Sequence, residues 1–178
     1  MYTESYRFSD EDLQYISDAL GRRPVGVIGV AARNDLLQPT VIINLPMNHD
    51  GQRWNPFPTL YWLVDPALST QLSELERRGA IGELEQALQD DETLMQQHLA
   101  DNRDYARSRW AVLNNQEQAA ARQMNVTEVL EYSGIGGVAN HATLKCLHAQ
   151  VAYHLAKHEA GSTVGKLIKR MYPGRVEL

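Results

Sequence analysis

With 178 residues and 43% hydrophobic composition, the chain is long enough to bury one core and short for two. Its 17 Lys/Arg against 22 Asp/Glu leave a formal charge of −5, which argues against broad electrostatic capture of nucleic acid or an anionic membrane. The lone Cys146 excludes an internal disulfide, the opening "MYTESYRFSDEDL" lacks the basic start and apolar run of a secretory signal, and no stretch approaches the roughly 18 apolar residues of a membrane helix, so a cytoplasmic protein forming one domain over residues 1–178 is expected.

"SDEDLQYISDALGRRP" opens on Ser9 as an N-cap, carries acids in its first turn, repeats Leu13, Ile16 and Leu20, and stops at Gly21, which predicts a short amphipathic helix. Three β-branched or aromatic runs follow. They predict antiparallel strands at residues 25–33, 40–47 and 59–65, joined by "NDLLQP" and by the turn-forming "NHDGQRWNPFP". Neither connection can hold a crossover helix, so a meander is expected. In the third strand, alternation sends Tyr61 and Leu63 to one face and Trp62 and Val64 to the other, as in a strand covered on both sides.

From Pro66 the period changes to that of helices. "ALSTQLSELERRG" places Leu68, Leu72 and Leu75 on one face and ends at Gly79, and "IGELEQALQ" continues as a second short helix. A long segment free of Gly and Pro then runs to "RQM", as one helix or as two broken near "LNN". "TEVLEYSG" predicts a brief helix, "GIGG" a joint, and residues 138–158 the main C-terminal helix. Strands first and helices afterwards give an α+β fold: a small antiparallel three-stranded sheet packed against a C-terminal set of helices.

Three blocks occur together: "PFPTLYWLVDP" at 56–66, "SGIGGV" at 133–138 and "LKCLHAQVAYHLA" at 144–156, followed by "TVG" at 163–165. In this order they resemble the bacterial family catalogued as domain of unknown function 501, with the likeness extending over "LGRRPVGVIGVAAR" and "LSELERRG". The resemblance implies a shared fold and carries over no reaction and no cofactor. The chain departs from the family pattern at Gln150, where a histidine is usual, and at "STVG", where "NPVG" is usual. Lys145, Cys146 and His148 match.

On a continuous helix, His141, Lys145 and His148 share one side, and a cation beside a proton carrier could grip and titrate an anionic group. His98, Asn102, Tyr105 and Arg109 follow one another at i+4, i+3 and i+4, a polar–aromatic stripe that serves either as the facing wall of a cleft or as a solvated face. Gly136 and Gly137 open the helix carrying Lys145, so their loop either offers backbone N–H groups to an anion or simply permits a sharp turn. The resulting expectation is a small anionic or phosphorylated ligand held by Tyr105, Arg109, Asn102, His98, Gly136 and Gly137, with His148 as acid/base and Lys145 as charge stabiliser. A non-catalytic module that docks a protein partner or dimerises is the alternative.

No metal site is expected from spacing. Within one helix Cys146 and His148 would lie about 160° apart, and His154 with His158 lacks further ligands. Cys146 reads either as a nucleophile or as a small buried hydrophobe between Leu144 and Leu147.

Overall fold

The computed structural model describes residues 8–178. Helix α1 (Asp10–Leu20) begins as its sequence predicts. The Ser9 side chain accepts the Asp12 N–H, Asp12 returns to the Ser9 N–H, and Gly21 closes the helix at φ 66°. Strands β1 (Val27–Arg33) and β2 (Pro39–Asn44) pair antiparallel, and β5 (Tyr61–Leu63) adds to the far side of β2 through Val41↔Leu63, Ile42↔Trp62 and Ile43↔Tyr61. The three expected strands are thus neighbours in the order β1-β2-β5. Between β2 and β5 lies a two-stranded hairpin absent from the sequence expectation, β3 (Met47–His49) with β4 (Trp54–Pro56). Its turn is organised by Asp50, whose carboxylate accepts the Gln52 and Arg53 N–H groups and an Asn55 amide.

Both faces of β5 are covered. Trp62 and Val64 join Ile42 and Ile16 beneath α1, while Leu63 and Tyr61 face the main core. Two guanidinium–carboxylate bonds, Arg33 to Asp12 at 2.6 and 2.7 Å, clamp α1 to β1. The helices α2 (Pro66–Arg77), α3 (Ala80–Gln89) and α4 (Glu92–Ala111) follow, and the core takes Leu68, Leu72, Leu75, Leu84 and Leu88 from the first two. Each such leucine contributes roughly 1.5–3 kcal/mol on burial. The long segment does break at "LNN": Asn114 caps α5 (Asn115–Gln123), and α6 (Thr127–Tyr132) comes next.

The C-terminal third corrects the sequence reading. No helix spans residues 138–158; α7 runs only Leu147–Ala156, and a further helix, α8 (Thr163–Met171), was not anticipated. The reason is competition for backbone N–H groups. Asn140 folds the chain into a turn through the Ala142 N–H and the Thr143 hydroxyl, and then Glu85 takes the Leu144 N–H at 2.7 Å and Glu76 the Leu147 N–H at 2.6 Å. Carboxylates from α3 and α2 thereby hold the segment off the helical path until position 147. Helix α8 docks through close approach: an added Cβ on Gly165 would lie 2.1 Å from the His154 ring, and His154 Nδ1 accepts the Ser162 N–H at 2.8 Å. Among the described residues, no helix is long and apolar enough to cross a membrane.

Candidate functional site

The stripe on α4 is neither a solvated face nor a cleft wall. His98, Asn102, Tyr105 and Arg109 are all within 1% of full burial. The Arg109 guanidinium donates to the carbonyls of Leu130, Val129, Ser133 and Pro58 at 2.6–3.1 Å and packs over the Tyr105 ring. Tyr105 Oη accepts the Leu60 N–H, and Asn102 accepts the Ile135 N–H at 2.9 Å while donating to the His98 carbonyl. These polar atoms are engaged with backbone from α6, the glycine loop and the approach to β5. They stitch the interior, and the structure does not deliver them to a cleft shared with Lys145.

The glycine loop serves conformation. Gly136 and Gly137 sit at φ 75° and 79°, in the left-handed region, within a 3-10 turn over Ile135–Gly137. Gly134 has a second constraint, since a Cβ there would meet the Asn102 carboxamide oxygen at 2.1 Å. The loop does adjoin Lys145, whose Cβ lies 3.7 Å from where a Gly136 Cβ would be. Lys145 itself is exposed, and Gln150 is buried on the opposite side of α7 from His148.

A different group gathers at the junction of α2 and α7. Cys146 is the N-cap of α7 in extended conformation, φ −155° and ψ 124°, so the helical-wheel separation from His148 does not apply. Its Sγ lies 3.7 Å from His148 Nδ1, and Glu76 Oε1 lies 3.3 Å from the same nitrogen. The other ring nitrogen, Nε2, is 3.1 Å from the Ser69 carbonyl and 3.4 Å from the Ser73 hydroxyl. Ser69, Ser73 and Glu76 follow at i+4 and i+3, so one stripe of α2 brackets the imidazole on both sides.

Cys146 Sγ, foremost, and then the Glu76 charge hold the His148 imidazolium up to about 9, against the opposing effect of partial burial. The side chains of His148 and Glu76 are about a quarter exposed, and Cys146 is half-buried, so solvent reaches the group. Of the residues singled out by sequence, His148 and Cys146 belong here and Lys145 borders them. Glu76 was missed. Its only signal was the Ser69/Ser73/Glu76 spacing beside the leucine stripe, and nothing local reveals which helix that spacing faces.

No curated protein and no solved structure matches the chain. The sequence profile of a family described as "Protein of unknown function (DUF501)" matches residues 30–170, which include all of β1 but its first three residues, both acid-bearing helices and the whole Glu76, Cys146 and His148 group. The chain therefore belongs to the DUF501 family.

Proposed function

We propose that the α2–α7 junction is the working centre of the protein and that it performs covalent thiol chemistry on a small substrate carrying a negative charge. The observation behind this reading is the 3.7 Å approach of Cys146 Sγ to His148 Nδ1 in a solvent-accessible setting. With the shared proton resting on the imidazole, the Cys146 sulfur can attack an electrophilic carbon as the bond to its leaving group breaks, and His148 gives that proton to the departing group, leaving a thioether or thioester on Cys146. Nε2 donating to the Ser69 carbonyl fixes the ring plane. Lys145, exposed one residue before the thiol, supplies the charge that attracts an anionic substrate.

Alkylation kinetics followed by mass spectrometry test this reading. Iodoacetamide is expected to modify Cys146 at least about tenfold faster in the native chain than in His148→Gln, and Lys145→Met is expected to lower the rate with anionic iodoacetate more than the rate with neutral iodoacetamide. Equal rates in all three proteins would defeat the proposal.

One observation favours the second reading, a module that pairs with another copy of itself. A groove of about 330 Å³ between α4 and α6 is floored by Ala106, Trp110 and Tyr132, the last 62% exposed. Concentration-dependent sedimentation that is abolished by Tyr132→Ser would support it.

A further inference from the structure

We infer that Glu76, Cys146 and His148 form a three-ligand site for a soft divalent cation, zinc foremost, and that the bound ion masks the Cys146 thiol. The inference rests on the reading of the α2–α7 junction as the working centre and adds the control of that centre. It reverses the expectation drawn from helical spacing, because Cys146 lies outside the helix that carries His148.

The argument begins with the atoms that converge. One sulfur, one imidazole nitrogen and one carboxylate oxygen lie within 4.8 Å of one another. On a tetrahedral zinc with Zn–S near 2.3 Å and Zn–N and Zn–O near 2.0–2.1 Å, neighbouring ligand atoms stand about 3.3–3.6 Å apart. The separations from His148 Nδ1 are 3.7 Å to Cys146 Sγ and 3.3 Å to Glu76 Oε1. Little movement is needed to close these three atoms on one ion.

The surroundings are those of a ligand shell. When Nε2–H donates to the Ser69 carbonyl, Nδ1 presents its lone pair toward Sγ and Oε1, the arrangement by which metal-binding histidines are usually oriented. Glu76 is oriented as well, since its Oε1, the oxygen that faces Nδ1, also accepts the Leu147 N–H at 2.6 Å. Three electron-pair donors facing one another repel unless something positive lies between them. A proton fills that place in the thiol–imidazole pair, and a divalent ion fills it better because it satisfies all three at once. The mixture of sulfur, nitrogen and a single carboxylate selects against magnesium and calcium, which take oxygen ligands, and suits zinc. Three protein ligands leave the fourth position to water. Binding joins the ion to the thiolate sulfur and releases the thiol proton to solvent, so the ion and an alkylating agent compete for the same electron pair.

The test uses the full-length chain, stripped with EDTA and kept reduced. Zinc titrated in competition with a chromogenic chelator is expected to bind at about one ion per chain, to be lost in Cys146→Ser and His148→Gln, and to weaken about tenfold or more in Glu76→Gln. Circular dichroism confirms that each variant is folded. Cobalt(II) in place of zinc is expected to give a near-ultraviolet sulfur-to-metal band that Cys146→Ser removes, a signature that a purely structural role for Cys146 would not produce. Zinc is also expected to protect Cys146 from iodoacetamide. Absence of zinc binding, or binding that survives both Cys146→Ser and His148→Gln, overturns the metal site. The two readings fail separately: a metal-free thiol that alkylates rapidly in a chain that ignores zinc leaves the nucleophile and removes the metal site, whereas tight zinc binding with a sluggish metal-free thiol does the reverse.

Discussion

Asn102 Oδ1 accepts the Ile135 N–H at 2.9 Å across 33 residues of sequence, and the same carboxamide donates to the His98 carbonyl at 2.9 Å and the His141 carbonyl at 3.3 Å. One side chain therefore holds the glycine loop against α4 from the inside. Asn102→Leu removes all three bonds and strands the Ile135 N–H, which is expected to lower stability by about 1–3 kcal/mol. Gly134→Ala is expected to cost a similar amount by driving a methyl group into the Asn102 oxygen. Denaturant melts measure both. Wild-type midpoints would show that the loop is held by something else.

Arg109 is a sharper case because its charge is enclosed. Arg109→Met withdraws the guanidinium from four carbonyls, of which Val129 keeps the Ser133 hydroxyl as a donor, and Arg109→Lys offers one compact ammonium where a planar fork reaches Leu130, Val129, Ser133 and Pro58. Both variants are expected to lose about 3 kcal/mol or more. If Arg109→Lys melts with the wild type, the guanidinium geometry is not what supports α6.

Histidine burial predicts how stability follows pH. Burial holds His98 and His154 below the ordinary imidazole range, and for His154 the nearby Lys169 acts in the same direction. In the unfolded chain both titrate near the usual value of about 6.5. Their contribution is complete above that pH and is lost as pH falls from there toward their lower folded values, because the unfolded chain then binds more protons. Between pH 7.5 and 5.5 the raised His148 works in the opposite direction in either protein, so the reading is the difference: urea melts should show acidification costing the wild type more stability than it costs His154→Gln. Parallel slopes in the two proteins would contradict the assignment to His154.

Close packing of α8 gives a prediction with little chemistry in it. Gly165→Ala places a methyl group on the His154 ring, with 2.1 Å between heavy atoms, and the ring is buried between α7 and α8. The variant is expected to lose about 1–3 kcal/mol. Limited proteolysis should then cut first near residues 157–163. Unchanged protease resistance would mean that the two helices separate at no energetic penalty.

The fold was legible where its cause was local. Ser9 and Gly21 announced α1, "LNN" marked the break after α4, and alternation in "YWLV" forecast a strand covered on both faces. The candidate site was legible only in part. His148 was visible as a titratable residue in a distinctive block, but its partner Glu76 lies 72 positions away, and no spacing rule reports such a pairing. The polar stripe on α4 misled because hydropathy marks Arg109 and His98 as surface residues, while backbone carbonyls from elsewhere in the chain satisfy them inside. The length of α7 was misread for the same reason: the residues that end its N-terminal extension, Glu76 and Glu85, act from other helices.

The bond from the Leu147 N–H to Glu76 has a mechanical consequence. The carboxylate that faces His148 is also the anchor of the first turn of α7, so whatever occupies the junction and whatever winds the helix draw on the same oxygen, Oε1. A ligand that pulls Glu76 inward loosens the turn behind it, and a strain that unwinds the turn swings Glu76 away from the ring. The Leu147 amide is thus a built-in reporter: its hydrogen exchange rate should change when the junction is filled, even by an ion too small to be felt anywhere else on the surface.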